Sequence, residues 1–507
     1  MTTQMDSEPE SAAEEQRKAL VAVTAKALAL LSKRLAATGS FSEAEAALNQ
    51  AIALSSDDAW RIRQAILLPQ VPESRQQILA LRARMEARLK DLLLENLHVE
   101  NPVTQIDWTC YLLAYHGEHG NADLHRLFHQ LCSKATPDLD WQAPHIAAPR
   151  SPGRARIGFV SWFFCDHTIA RLFTGLIEQI DSESFDVSIF AVEGSDQYLR
   201  QAVMDGKRIL TLPTDLAAAR QRIAQEQLDI LIYLDLGMDP FTLFLAHARL
   251  ARTQAVLWGH PDTTGIATID VFLSSDAMEP EDAREHYDEK LVRLPGIGSW
   301  IRRPEIPTES PTAADFGLPN DALLLLCPQT PQKFHPDFDD VIRRILASLP
   351  SAHLVLTAGW AEQAMAAVCQ RIFGPAPELT SRVHILGPMD RPRFIGLMKR
   401  ADILLDPPHY SGGHTSLEAF ACGAPVITWP GRHMRARHTY GLYRLIGIMD
   451  CVATDLDAYV DLAVTLGRDR QKRDRLRQRI AENSAILYKD DMAVRAFEAF
   501  LWSEMSA

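Results

Sequence analysis

The chain has no uncharged apolar run approaching the roughly 20 residues of a membrane-spanning helix. Its opening stretch, Met1 to Glu15, is acidic and lacks the basic segment and apolar core of a secretory leader. Cysteine is sparse. The seven residues Cys110, Cys132, Cys165, Cys327, Cys369, Cys422 and Cys451 show no CxxC spacing, and their odd number speaks against a disulfide framework or a zinc cluster. Positive charge is also short, since 52 Lys and Arg face 65 Asp and Glu for a net charge of −13, and basic clusters such as Arg432 to Arg437 are brief. That excludes a backbone-wide nucleic-acid footprint. The expectation is a cytoplasmic protein with reduced cysteines, no membrane span and no nucleic-acid partner.

What is present is organisation. A chain of 507 residues is long enough for two or three domains, and 47% hydrophobic with 23% charged residues is ordinary for globular proteins. Residues 1–16 are polar and expected to be disordered. Helical periodicity then covers 17–140, where Gly39-Ser40-Phe41-Ser42-Glu43-Ala44-Glu45 reads as a helix start with Ser42 as N-cap and Glu45 completing a capping box. The stretch Ala46 to Leu54 looks like the second half of one tetratricopeptide (TPR) unit, so a compact TPR-like domain is expected rather than a long solenoid.

The proline-bearing segment Ala135 to Gly153 reads as a linker, and the pattern changes after it. Short apolar runs at 157–160, 185–190, 230–233, 254–258 and 271–273 alternate with helical segments across 151–305. A second Pro-rich break, Pro295 to Pro319, precedes another set at 323–327, 353–357, 383–386, 403–405 and 426–428, in a block taken as 318–507. Such alternation predicts two α/β domains with parallel sheets, and a ligand cleft between the carboxyl ends of their strands.

One run stands out: Ser411-Gly412-Gly413-His414-Thr415-Ser416-Leu417-Glu418-Ala419-Phe420, followed by Cys422-Gly423-Ala424-Pro425-Val426-Ile427-Thr428. A glycine pair gives backbone freedom, and the next residues offer N–H and hydroxyl donors at a helix start. Glu418 sets a carboxylate nearby. Anion donors beside a carboxylate suit a diphosphate and a ribose diol, which points to a nucleotide-sugar.

From Arg156 to Tyr488 the sequence resembles glycosyltransferase family 41, which includes the O-GlcNAc transferases, the SPINDLY-like proteins and bacterial protein N-glucosyltransferases. The resemblance is carried by Trp258-Gly259-His260-Pro261-Asp262-Thr263-Thr264-Gly265, by Glu285-His286-Tyr287-Asp288-Glu289-Lys290-Leu291, and by the glycine-rich motif with Pro430-Gly431 after it. Tyr111-Leu112-Leu113-Ala114-Tyr115-His116-Gly117, and Gly-His-Pro where animal relatives have Gly-Tyr-Pro, are similar to the bacterial branch. The resemblance implies a GT-B fold of two Rossmann-like domains and an inverting, metal-independent transfer from a UDP-sugar, with no cofactor. In keeping with that, no Asp-x-Asp stands where it would hold a diphosphate through a metal. Asp337-Phe338-Asp339 follows His335-Pro336 on an expected helix and is read as solvent-exposed.

The residues the resemblance marks also have bland readings. Lys333, after the run 323–327, matches the lysine at the donor diphosphate, with Gln329 helping in the same loop; a lysine there could also be a solvated one. Gly413, His414, Thr415 and Ser416 are assigned to the pyrophosphate and Glu418 to the ribose, although a carboxylate near a helix start is also favoured by the helix dipole. Arg391 falls where relatives carry lysine. Phe394 stands where O-GlcNAc transferases pack a histidine on the base, and it could equally be core. His167, at the first crossover of the earlier α/β block, matches the active-site histidine and suits a general base or a hydrogen-bonding partner. Asp235 and Asp239 are alternative bases, acceptor contacts or helix caps. His260 and Thr264 are expected to shape the sugar pocket.

The favoured function is transfer of GlcNAc or glucose to a protein side chain, with the helical domain presenting a polypeptide acceptor. A transferase for a small molecule or glycan, and a non-catalytic helical module with a degenerate sugar-nucleotide cleft, are the alternatives.

Overall fold

The computed structural model describes residues 8–150, 152–202, 204–309, 311–359 and 361–506. Two parallel sheets form its centre. The first is built from β1 (Ala155–Ser161), β2 (Phe185–Val192), β3 (Arg208–Leu212), β4 (Ile230–Tyr233), β5 (Thr253–Leu257), β6 (Val271–Ser275) and β7 (Lys290–Leu294), in the order β3-β2-β1-β4-β5-β6-β7. The second contains β8 (Leu323–Cys327), β9 (Ala352–Thr357), β10 (Val383–Leu386), β11 (Ile403–Leu405) and β12 (Val426–Ile427), in the order β10-β9-β8-β11-β12. Every pairing is parallel, from Ile157 beside Ile230 to Leu404 beside Val426. Parallel strands are buried on both faces, which is why β4 and β8 read as unbroken apolar runs. In each sheet the strand order reverses beside one strand, between β1 and β4 and between β8 and β11. Those two reversals open the crevices in which this architecture binds ligands. This is the expected GT-B arrangement.

Helices precede the sheets. Glu8–Thr38 and Phe41–Leu54 pack antiparallel through small side chains, with Ala25, Ala29, Ala44, Leu48 and Ala51 buried in a small core of their own. The helix from Glu8 lies partly within the stretch expected to be disordered, and residues 1–7 of that stretch fall outside the described residues. The capping box does not form. The helix begins at Phe41, Ser42 lies inside it, and Ser40 holds the N-cap position without a side-chain bond. Gly39, at φ +93, reverses the chain directly into the helix, and Arg84 on the helix Arg75–Leu94 pairs with Glu45 at 2.5 Å. A tertiary ion pair has taken the carboxylate that a local cap would have used.

The segment expected to be a linker is strapped to the first sheet: Ala143 donates its backbone N–H to Arg249 O at 2.9 Å, and Arg249 returns one to Trp141 O at 2.8 Å. The final helix, Asp491–Ser506, also crosses back to that sheet. Phe497 meets Phe159, and Trp300 Nε1 donates to Asp491 at 3.0 Å. As a packing unit, the block placed at 318–507 therefore ends before this helix.

Three regions meet at Arg435. Its guanidinium, 2% exposed, donates to Gly117 O at 3.1 Å, to His119 O at 2.7 Å and to Asp262 at 3.3 Å. The helical region, the first sheet and the second sheet thus share one buried charge. Burial works against an ionised Asp262, but Arg435 and His125 outweigh it and hold the carboxyl well below its ordinary range. No helix among the described residues is long and apolar enough to cross a membrane.

Candidate active site

The second sheet's reversal carries the glycine-rich turn. Asp406, directly after β11, is buried and organises it: Ser411 Oγ donates to its carboxylate at 2.6 Å, Gly412 N at 2.7 Å and Thr428 Oγ1 at 2.7 Å. Burial raises the Asp406 carboxyl, and these donors oppose that rise. The role of the two glycines differs from the expected backbone freedom. Neither has positive φ, and a Cβ on Gly412 would lie 2.7 Å from both Gln329 Nε2 and Ser416 Oγ, whereas one on Gly413 meets nothing within 4 Å. Gly412 is there for close packing, and Gly413 for an open face.

The helix His414–Ala421 starts at this turn. Gly413 and Thr415 are partly exposed, while Ser416 is buried with its hydroxyl 2.7 Å from Thr439 Oγ1. The open donors therefore belong to Gly413 and Thr415, and Ser416 braces them. Glu418 lies one helical turn beyond His414, whose Nδ1 is 3.3 Å from it, and Arg391 Nη2 approaches the same carboxylate oxygen at 3.1 Å. Burial alone would raise Glu418, but His414 and Arg391 leave it below its ordinary range, a fixed anion. Arg391 opens the helix Arg391–Arg400, and Phe394 one turn on is half-buried, with one side packed on the core.

Lys333 faces this turn from the loop after β8. Its Nζ donates to Gln329 Oε1 at 2.8 Å and to Ser411 O at 3.0 Å, and stands 4.7 Å from the centre of the Tyr410 ring. Burial pulls the ammonium down to about 8, against the attraction of Asp406. It is not the solvated surface lysine of the bland reading. Tyr410 stacks on Tyr115 with centroids 4.4 Å apart, and Tyr115 bonds to Tyr111 through their hydroxyls, so the helical region reaches to the lysine.

From the first sheet, the helix Thr168–Gln179 touches the helix His414–Ala421. This brings His167 to the cleft, where it caps its own helix: Nδ1 accepts from Ile169 N at 3.2 Å, and the ring packs on Phe163. Burial, with Arg171 adding to it, lowers the imidazole to about 4. With its Nδ1 lone pair engaged, the neutral ring carries its proton on Nε2.

The other candidates from this domain sit deeper. Asp235 is 1% exposed, and burial plus the neighbouring Asp239 push its carboxyl well above the ordinary range, which disfavours the ionised form a base needs. Asp239 caps the helix Pro240–Leu245, accepting from Thr242 N at 2.9 Å. Thr264 donates through Oγ1 and N to Glu289 at 2.5 and 2.7 Å, which fixes its loop to the segment before β7. His260 is buried against Tyr111, and neither ring nitrogen has a partner among the described residues. The Asp337 pair also departs from expectation: Asp337 is half-buried beside His409 at 2.9 Å, and Asp339 pairs with Arg371 at 2.8 Å.

Around these residues, the sequence profile described as Glycosyl transferase family 41 matches 118–298 and 305–490. The chain belongs to glycosyltransferase family 41. Among relatives in the family, it is 25% identical over 333 residues, 63% of this chain and 34% of the relative, to a probable UDP-N-acetylglucosamine–peptide N-acetylglucosaminyltransferase SEC of Arabidopsis thaliana. It is 23% identical over 256 residues, 50% of this chain and 40% of the other, to the UDP-glucose:protein N-beta-glucosyltransferase of Actinobacillus pleuropneumoniae. The chain thus spans about a third of the first of these relatives. Its fold is similar to that of a mutant Thermobaculum terrenum O-GlcNAc transferase, with TM-score 0.73 at 23% identity over 95% of this chain and 91% of that one. A sucrose-phosphate synthase of Thermosynechococcus elongatus shares the two-sheet core at TM-score 0.50 and 15% identity, covering 70% of this chain and 100% of that one.

Sequence reasoning missed Asp406, Tyr410 and Arg435. Asp406 ends an apolar strand five residues before the glycine turn, the one local signal that could have found it. The other two act only through partners more than 70 residues away.

Proposed function

We propose that this chain is an inverting glycosyltransferase that moves GlcNAc or glucose from a UDP-sugar to a protein side chain. The observation that carries this is the Lys333 ammonium, held by Gln329 and Ser411 directly over a turn whose Gly413 face is open. As the acceptor nucleophile attacks the anomeric carbon, the opposite bond breaks and negative charge grows on the departing diphosphate. Lys333 and the N–H groups of Gly413 and Thr415 meet that charge with dipoles already fixed in place, the arrangement that lowers a barrier most. Arg391 and His414 hold Glu418 as an anion, which suits it to accept from ribose hydroxyls. His167 serves as an Nε2–H donor to the sugar or the acceptor; as a base it would first have to release Ile169 and change tautomer.

A polypeptide acceptor is supported by a cavity of about 270 Å³ between the three regions, where Trp108 and Tyr111 of the helical region face Met238 and Gln332. A larger cavity of about 870 Å³, lined by Arg126, His247 and Asp288, includes no residue of the loop that carries Gln332 and Lys333 and has no part in this reading. The names of the two relatives, one a peptide and one a protein transferase, point the same way. The test is a thermal-shift panel of UDP, GDP, UDP-GlcNAc, UDP-glucose and GDP-fucose, followed by mass spectrometry of a peptide library incubated with the stabilising donor. Stabilisation by uridine nucleotides and a hexose or N-acetylhexosamine mass increment on peptide are expected. Donor binding with sugar appearing only on small acceptors would replace the protein acceptor. Absence of any shift or transfer would overturn the enzyme reading.

A further inference from the structure

Three residues that the transfer chemistry leaves unused meet where the helical region abuts the second sheet. His335 follows the turn Pro331–Lys333, Asp337 begins the helix Asp337–Ser348, and His409 lies in the loop after β11. One ligand-capable atom from each lies within 4.8 Å of the others. Asp337 Oδ2 is 2.9 Å from His409 Nε2 and 3.5 Å from His335 Nδ1. Zinc bonds of roughly 2.0–2.1 Å at tetrahedral angles set ligand atoms about 3.3 Å apart. The two observed separations flank that value before any metal has drawn the groups together.

The surroundings favour a ligand over a plain hydrogen-bonded cluster. His335 and His409 are each 5% exposed, so a cation held between them would be shielded from water. His409 is held at φ +71, a left-handed backbone that is costly for a residue other than glycine. His335 presents its Nδ1 lone pair to the cluster, 3.5 Å from Asp337 Oδ2. That lone pair now receives Asp337 N at 3.2 Å, a long contact that coordination would replace. Arg75, 3.3 Å from Asp337, is the nearest opposing charge, and its side chain is 75% exposed and free to turn away.

We propose that His335, Asp337 and His409 form a binding site for one divalent transition metal of the zinc class. The site lies outside the donor pocket, and the displacement does not run through it. Its position suits a structural role, since His335 is two residues beyond Lys333, and His409 directly precedes Tyr410, whose ring lies under the Lys333 ammonium. A cation there would lock together the two loops that place the lysine.

The test uses the metal-stripped full chain titrated with Co²⁺, followed by visible absorption, and with Zn²⁺, followed by thermal midpoint. One saturating Co²⁺ per chain, displaced by Zn²⁺, is expected, with at least a tenfold weakening in both Asp337→Asn and His409→Asn. Asparagine is chosen at 409 because it tolerates the left-handed backbone. Far-UV circular dichroism confirms that each variant is folded. Where one is not, the anomalous signal of a Zn²⁺-soaked crystal of the native chain decides: a peak bridging the three residues supports the site, and a peak elsewhere overturns it. No saturable Co²⁺ band, or equal titrations in native and folded variants, also overturns it.

Discussion

The two strand-order reversals are built in opposite ways. At the second sheet, the polar groups around the turn are joined to one another, the ring nitrogens of His438 excepted: Asp406 takes three donors and Lys333 gives to two acceptors. At the first sheet, Tyr233 OH, both Asp235 oxygens, Trp258 Nε1 and both His260 nitrogens are buried without a hydrogen-bond partner among the described residues. Buried polar groups are costly to leave unpaired, and unpaired ones cluster where function needs them. The contrast teaches that the donor half is rigid in advance, as charge stabilisation requires. The half facing it keeps its polar groups uncommitted.

The comparison can be broken most sharply at Lys333. Lys333→Met should cut turnover by about 10²–10³-fold, the usual cost of removing one fixed donor to developing negative charge. The variant should stay folded, with an apo thermal midpoint unchanged or slightly higher, because a half-buried ammonium is lost. Initial rates and a melting curve on the same preparation check both halves.

The joint between regions comes next. Arg435→Met leaves Asp262 buried without its cation and should destabilise the fold by about 3–5 kcal/mol. Denaturant unfolding reads this, and an effect below about 1 kcal/mol would mean that the three regions do not depend on that charge.

The glycine pair sharpens the contrast within the donor half. Gly412→Ala overlaps Gln329 and Ser416, so apo stability should fall by about 1–3 kcal/mol together with UDP affinity. Gly413→Ala meets open space and should leave apo stability within about 0.5 kcal/mol, weakening only nucleotide binding. Equal melting curves for the two variants would contradict the separate roles.

The smallest effect belongs to the uncommitted half. Asp235→Asn replaces a carboxyl whose ionisation burial disfavours by a group of nearly the same shape, so kcat should change less than about threefold. A loss of 10² or more, the contribution of a general base, would return Asp235 to the chemistry.

Legibility from sequence followed burial. The central strands, such as Ile230–Tyr233 and Leu323–Cys327, showed as apolar runs, whereas β3 and β7 did not: they are the two edges of the first sheet, and Arg208, Ile209, Lys290 and Arg293 are exposed. Polar residues on the solvated face of these two edges hide the signal, whereas β10, also an edge, kept it through Val383, Ile385 and Leu386. Lys333, the glycine turn and Glu418 were legible because their chemistry is local and the family resemblance marked them. Arg435 looked like one member of a short basic cluster, and Asp337 like a surface carboxylate. Both take their roles from partners that only the folded chain supplies.

The central claim is that a half-buried, pre-placed Lys333 ammonium receives the donor diphosphate. Calorimetric titration of UDP into the native chain and Lys333→Met between pH 6 and 9 tests it most directly. The free lysine titrates near 8 because burial lowers it, so it is charged below that pH and neutral above it. Native affinity is predicted to be highest below pH 8 and to fall as pH rises through it, while Lys333→Met should bind weakly throughout and show no such step. Equal affinity in the two proteins, or a native profile that is flat across pH 8, would contradict it.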